Sequence, residues 1–160
     1  MSPASWRRSP VSTRSRNTRH APDWSGLRAE ALEILQREDR LQQIVKLVGP
    51  DVLPDSQRLI LFAAELLKDG FLTQSAFDAN DMYCSPARQT ALLRLILGLY
   101  RQAREIIQRG APLLRIQQLP SVPGIVRAKS AFGNDALAGL EKLEQDVTRE
   151  LATLAREYQK

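Results

Sequence analysis

Residues 85–110 read SPARQTALLRLILGLYRQAREIIQRG, and this stretch decides the fold class. Its apolar residues recur at intervals of three and four, which is the spacing of one face of an α-helix. Ser85 is predicted to cap this helix and Pro86 to occupy its first turn, where a missing N–H costs no hydrogen bond. Gly110 is predicted to end it. The apolar stripe consists of Leu92, Leu93, Ile96, Leu97, Tyr100, Ala103 and Ile107.

Two further helices are predicted upstream of this stretch. The first is expected to start at a Ser25 cap and to end at Gly49, which a proline follows. The second should begin near Pro54 and stop at Gly70. Residues 59–64 are consecutively apolar, so the second helix should be buried on almost all sides.

Downstream, the predictions are a short helix and then a linker. Residues 112–119, PLLRIQQL, can form one or two helical turns. Residues 120–133, PSVPGIVRAKSAFG, contain Pro123 and Gly124 and therefore predict a mobile, protease-sensitive linker.

A last helix is predicted over residues 134–160, with Asn134 or Asp135 as its cap. Its apolar residues form a narrow seam of the kind that packs against another helix. No segment alternates with a period of two, so the chain is predicted to be all-α, a bundle of about four main helices. The seam residues are Leu137, Leu140, Leu143, Val147, Leu151, Leu154 and Tyr158.

The formal charge of +5 comes from one end of the chain. Residues 1–20 contain five arginines and no acidic residue, and they show no hydrophobic period. Removing these five from the 23 basic residues leaves 18, which equals the number of acidic residues. The sequence thus predicts a disordered basic tail over residues 1–20 and a neutral helical domain over residues 21–160. A neutral domain does not favour nucleic acid as its ligand.

No catalytic or metal-binding motif is evident in the residues. The sequence lacks the G-x-x-x-x-G-K-[ST] loop that cradles phosphate. One histidine, His20, and one cysteine, Cys84, are too few for a tetrahedral metal site. Cys84 is interpreted as a half-buried small apolar residue at a helix start. No apolar run approaches the roughly 20 residues that cross a bilayer. From the residues alone this is a non-catalytic helical module.

Three stretches together resemble a known family. They are ALEILQREDRLQQIVKLVGPDVL at residues 31–53, QSAFDANDMYCSPARQ at residues 74–89 and IIQRGAPLLRIQQLP at residues 106–120. They are similar to the C-terminal helical domain of the catalytic A subunit of V/A-type rotary ATPases, the archaeal-type ATP synthases. The combination of LVGPD with an AFD-x-x-D-x-YC pattern makes the resemblance specific, and it extends over roughly 140 residues. It covers a small part of that protein, which implies a truncated copy.

The resemblance implies a nucleotide site at residues 74–77. In the family, the corresponding turn lies beside the adenine of the bound nucleotide. Gln74, Ser75, Ala76 and Phe77 would line the adenine, because an aromatic ring stacks on a purine and an amide bonds its edge. Ser75 stands where the family usually has asparagine. The alternative is that Phe77 closes one end of the bundle while neighbouring acidic side chains make turn hydrogen bonds.

Function and partners follow from the same resemblance. It implies part of an ATP synthase or ATPase that couples ATP to proton or sodium transport, with ATP or ADP bound only in the whole complex. The implied partners are the B subunit together with the central-stalk D subunit, and the implied location is the cytoplasmic head, peripheral to the membrane. The chain alone is expected to be inactive. The alternative is a stand-alone helical interaction module whose basic tail binds nucleic acid or an acidic partner.

An exposed apolar patch is also predicted. In the family the nucleotide-binding domain lies above the bundle, and no such domain is present in these residues. Apolar side chains around Phe71, Leu72 and Phe77 are therefore expected to be exposed, and the isolated chain is expected to self-associate.

Overall fold

The computed structural model describes residues 23–73 and 84–159, and all regular structure in these residues is helical. The predicted all-α fold is confirmed. The α-helices are α1 (Trp24–Val48), α2 (Asp55–Leu67), α3 (Pro86–Gln108), α4 (Leu113–Gln117), α5 (Val122–Ala131) and α6 (Leu137–Glu157). A 3₁₀ turn, Pro50–Val52, follows α1, and a π-helical turn, Lys68–Leu72, continues α2. The predicted tail, residues 1–20, lies outside the described residues.

Helix α3 is the centre of the bundle and packs against each of the other five α-helices. Its start is as predicted: the hydroxyl of Ser85 accepts a hydrogen bond from the backbone N–H of Arg88 at 3.3 Å, and Pro86 lies in the first turn. Gly110 follows its end with a φ of 98°, a conformation that glycine adopts without strain. The stripe residues Leu92, Leu93, Ile96, Leu97, Tyr100 and Ala103 are all buried.

The two ends of α1 differ in how well the sequence predicted them. Ser25 lies inside the helix and Asp23 is the N-cap, so the predicted cap is wrong. The helix starts earlier because Trp24 already packs against the core. Gly49 was predicted correctly, since it has a φ of 86° and its N–H donates to the carbonyl of Val45 at 2.8 Å.

Gly70 does not stop the second helix as predicted. It is buried within the π-helical turn, and the chain leaves the turn only at Thr73, whose N–H donates to the carbonyl of Lys68 at 2.7 Å. A Cβ on Gly70 would lie 3.5 Å from Cδ1 of Ile96 and 3.6 Å from the carbonyl oxygen of Ile125. These are ordinary van der Waals distances, so Gly70 contacts α3 and α5 at a position where the packing does not require a glycine. The predicted burial of residues 59–64 is confirmed in part, since Leu59, Ala63 and Ala64 are buried while residues 60–62 are half-buried.

The predicted linker over residues 120–133 is wrong, because most of it forms α5. Pro123 occupies the first turn of the helix, where its missing N–H leaves no hydrogen bond unmade. Ile125 and Ala128 are fully buried in the core. Gly124 faces Leu143 so closely that a Cβ would lie 3.1 Å from Cδ1 of that leucine. Pro123 allows the helix to start and Gly124 allows it to pack closely, whereas the sequence analysis interpreted both residues as signs of a loop.

Helix α6 confirms the seam but not the cap. Leu140, Val147, Leu151 and Leu154 are buried, and Leu137, Leu143 and Tyr158 pack against the core while partly exposed. The N-cap is Ala136, so neither predicted cap residue has that role. Asn134 is used elsewhere: its Oδ1 accepts a hydrogen bond from the backbone N–H of Ser85 at 2.9 Å.

Two ion pairs link α1 to neighbouring helices that also pack against it through the core. The guanidinium of Arg101 on α3 donates to the carboxylate of Glu30 on α1, and this hydrogen bond raises the pKa of Arg101. The ammonium of Lys68 donates to the mostly buried carboxylate of Glu38 at 2.8 Å. The second pair ties the end of α2 to the middle of α1.

Candidate functional site

The predicted nucleotide site falls on a connection whose two ends are placed by the structure. Gln74, Ser75, Ala76 and Phe77 lie outside the described residues. The chain is described up to Thr73, at the end of the π-helical turn, and again from Cys84, just before α3. The surroundings of these two ends therefore define the part of the site that the structure describes.

A groove with a volume of about 380 Å³ lies where these ends meet the bundle. Leu72, from one end of the connection, and Cys84, from the other, both contribute to its wall. Among the described residues, Arg28 and Lys129 contribute charged groups to its wall, and Gln89 contributes an amide. Most of the wall is apolar: Trp24, Ala31, Leu32, Leu35, Leu67, Phe71, Leu72, Leu92 and Leu93. We call this feature the connection groove.

The predicted exposure beside this groove is confirmed in part. Leu72 is 52% exposed, while Phe71 is half-buried and packs against the core. Phe77, the third residue of the predicted patch, lies outside the described residues. Cys84 is half-buried, as the sequence predicted.

Two buried cations lie near the ends of the connection, Lys129 in the wall of the groove and Arg88 in the first turn of α3, and the sequence analysis missed both. Arg88 is fully buried at 0% exposure and Lys129 is 6% exposed. The guanidinium of Arg88 donates to the backbone carbonyl of Lys129, and the ammonium of Lys129 donates to the backbone carbonyl of Thr73. Hydrogen bonds of this kind offset part of the cost of burying a cation.

The helix end explains the first of these bonds. The carbonyl of Lys129 belongs to the last turn of α5, where carbonyls have no partner within the helix and carry the negative end of the helix dipole. A guanidinium is a suitable partner for such a carbonyl. A signal for Arg88 exists in the sequence, because it lies four residues before Leu92 and so shares the core-facing stripe of α3.

A second surface lies at the other end of α1. Leu47 is 85% exposed and Val52 is 67% exposed, and Ile44 and Val48 are also exposed. The four side chains belong to the last turns of α1 and to the 3₁₀ turn that follows Gly49. We call them the α1 end surface. A helix of 25 residues is about 37 Å long, so this surface is well separated from Trp24 in the connection groove.

The structure describes residues 23–73 and 84–159. No set of three histidine, cysteine or acidic side chains in these ranges could hold a metal ion. Over the same ranges, no helix is both long and apolar enough to cross a bilayer.

The described residues form a bundle of α-helices with a largely apolar groove where the two ends of the connection meet it. Residues 14–116 match the family described as the C-terminal domain of V and A type ATP synthase, and the chain belongs to this family. The match begins within the segment predicted to be a tail, ends in α4 and includes residues 74–77.

Curated relatives agree with this family. The chain is 39% identical over 135 residues to the A subunit of the A-type ATP synthase of Methanopyrus kandleri, covering 84% of this chain and 23% of that protein. It is 41% identical over 137 residues to the V-type ATP synthase alpha chain of Halothermothrix orenii, covering 86% of this chain and 23% of that protein. It is 44% identical over 108 residues to the A subunit of the A-type ATP synthase of Pyrococcus abyssi, covering 68% of this chain and 11% of that protein. The chain thus spans about a quarter or less of the length of these relatives.

Proposed function

We propose that this chain forms the adenine-side wall of the nucleotide site in the A subunit of a V/A-type ATP synthase. Gln74, Ser75, Ala76 and Phe77 would provide this wall. The observation that carries the proposal is the family match, which includes this segment. The ring of Phe77 would stack on the purine and the amide of Gln74 would bond its edge. An aromatic ring and an amide select the base and leave phosphate binding to other residues.

The position of the connection supports this proposal. Its two ends lie at a groove with apolar walls and open to solvent at Leu72, which is 52% exposed. A planar base gains most from an apolar wall on one face and a polar group at its edge. The bundle core beneath the groove, including Leu92 and Leu93, would hold this wall rigid.

Contact with the central stalk is assigned to the α1 end surface. Leu47 and Val52 are exposed there beside Gly49, at the point where α1 gives way to the 3₁₀ turn. Exposed apolar side chains at one helix end suit a surface that is covered in an assembly. In that arrangement α1 is a rigid rod between the nucleotide side and the stalk D subunit, while the B subunit lies next to the domain.

Catalysis is not assigned to this chain alone. The sequence has no phosphate-binding loop of the Walker type, so it supplies no lysine to the β- and γ-phosphates. ATP or ADP would bind fully only in the complex, where hydrolysis or synthesis is coupled to proton or sodium transport. The proposed location is the cytoplasmic head of that complex, peripheral to the membrane.

The test uses the purified chain and a photoreactive adenine nucleotide. We expect weak binding, with a dissociation constant of about 1 mM or higher, and labelling within residues 74–77 that excess ADP prevents. Phe77→Ser should abolish the labelling, whereas Phe62→Ser, a change at a half-buried ring on α2 away from the groove, should preserve it at a temperature where both variants are folded. Labelling that is spread over the bundle, or ATPase activity of the chain alone, would contradict the proposal.

A further inference from the structure

Lys129 makes two contacts through opposite ends of the same residue. Its side-chain ammonium donates to the carbonyl of Thr73, and its backbone carbonyl accepts from the guanidinium of Arg88. These partners are 56 and 41 residues away in the chain. Thr73 is the last described residue before the connection of residues 74–83, and Arg88 lies in the first turn of α3 after it. One residue of α5 therefore contacts both sides of the connection.

A third contact comes from the residues that follow α5. Oδ1 of Asn134 accepts a hydrogen bond from the N–H of Ser85 at 2.9 Å. Ser85 is also the N-cap of α3. The start of α3 is therefore stabilised by two hydrogen bonds of Ser85, one within the helix to Arg88 and one to Asn134.

The two hydrogen bonds of Lys129 are stronger than ordinary hydrogen bonds between neutral groups. Both have a charged donor, and hydrogen bonds with a charged donor are about twice as strong as neutral ones. The bond from Arg88 to Lys129 is buried, where electrostatic interactions are less screened, and the bond from Lys129 to Thr73 is partly buried. Helix α5 itself is held in place, because Ile125 and Ala128 are buried in the core.

We propose that Lys129 is a positioning residue for the two described ends of the connection, Thr73 and the start of α3, with Asn134 as a second support. Lys129 fixes Thr73 relative to Arg88, and Asn134 fixes Ser85, so that the distance and direction between the two ends of residues 74–83 are set by α5. Lys129 itself need not contact nucleotide. The link to nucleotide rests on the proposed function above, whereas the link between α5 and the two ends of the connection does not.

The experiment measures hydrogen exchange by mass spectrometry in the purified 160-residue chain. The variants are Lys129→Met, which keeps the length of the side chain and removes its ammonium, and Lys129→Arg, which restores a cation. Lys142→Met makes the same change at an exposed lysine on α6 and is the matched control. Asn134→Ala tests the second support and keeps the proposal testable if the buried Lys129→Met variant does not fold.

Exchange over residues 73–85 should rise about tenfold in Lys129→Met, about fivefold in Asn134→Ala and not at all in Lys142→Met. Lys129→Arg should return most of the protection. Exchange in α6 around Val147 should change little. The proposal is overturned if exchange over residues 73–85 is unchanged in the folded variants, or if it rises equally throughout the bundle.

Photolabelling by the adenine nucleotide is the second readout on the same variants. A drop in labelling that follows the rise in exchange supports both proposals. If exchange changes as expected while the unsubstituted chain shows no specific labelling, the positioning role of Lys129 is supported and the adenine-wall function is refuted.

Discussion

The ring of Phe132 lies directly against Gly139, so that a Cβ on this glycine would be 2.6 Å from Cδ1 of the ring. Gly139 is in the first turn of α6, and Phe132 is the residue at which α5 ends. The contact lets the chain turn from α5 into α6 within a few residues.

Replacing Gly139 with alanine should therefore destabilise the protein. The ring of Phe132 must move to make room for the methyl group, and we expect a loss of about 1–3 kcal/mol in the free energy of unfolding. Gly98 is the control, since it lies inside α3 with nothing within 4 Å of a Cβ. Gly98→Ala should stabilise the protein by up to about 1 kcal/mol, because alanine favours the helix. Urea unfolding measures both, and equal effects would contradict the role given to Phe132.

The helical state of α5 predicts opposite outcomes for two neighbouring residues. Ile125 is 1% exposed and Val126 is 44% exposed. Ile125→Ala should cost about 2–5 kcal/mol of unfolding free energy through the cavity that it leaves. Val126→Ala should change it by less than about 0.5 kcal/mol. If residues 120–133 were a linker instead, both substitutions would be nearly neutral in thermal or urea unfolding.

Association of the isolated chain should depend on the α1 end surface. Leu47→Ala removes an 85% exposed side chain, so it should reduce self-association in sedimentation velocity at little cost in stability. Leu41→Ala, the same change at a buried position on α1, should cost about 2–5 kcal/mol and is the stability control. A chain that sediments as a monomer at micromolar concentrations and binds no hydrophobic dye would refute the prediction.

Phe77→Ser distinguishes the two roles considered for this ring. An adenine wall is exposed in the isolated chain, so its loss should reduce association and leave stability nearly unchanged. A ring that closes the end of the bundle is buried, and its loss should cost about 3 kcal/mol or more. Thermal unfolding and sedimentation on the same sample separate the two outcomes.

Deletion of residues 1–20 tests both the basic tail and the alternative function. Thermal stability should be nearly unchanged, since a terminal segment without hydrophobic residues at regular spacing adds little to the core. A drop of many degrees would show that the segment packs on the bundle. If the chain binds nucleic acid at moderate salt and the deletion does not remove this binding, the stand-alone module becomes the better interpretation.

The sequence by itself determined the four long helices and much of their packing faces, but not α5. The stripe of α3, the seam of α6, the Ser85 cap and the positive φ of Gly49 depend on residues within a few positions of one another. Such local patterns are set by helix geometry and by capping, so contiguous sequence contains them. The adenine segment at residues 74–77 was predicted by resemblance to a family, because no local rule separates a nucleotide contact from a turn.

Tertiary structure decided the features that join distant segments. Pro123 and Gly124 start a helix because Ile125 and Ala128 have a core to enter. Gly70 continues α2 within a π-helical turn that contacts α3 and α5, and Asn134 bonds to Ser85 rather than capping α6. Arg88 and Lys129 are buried because carbonyls far away in the chain come within reach of them. Local sequence specifies where a helix can form, but the partner of a buried charge is fixed only when the helices pack.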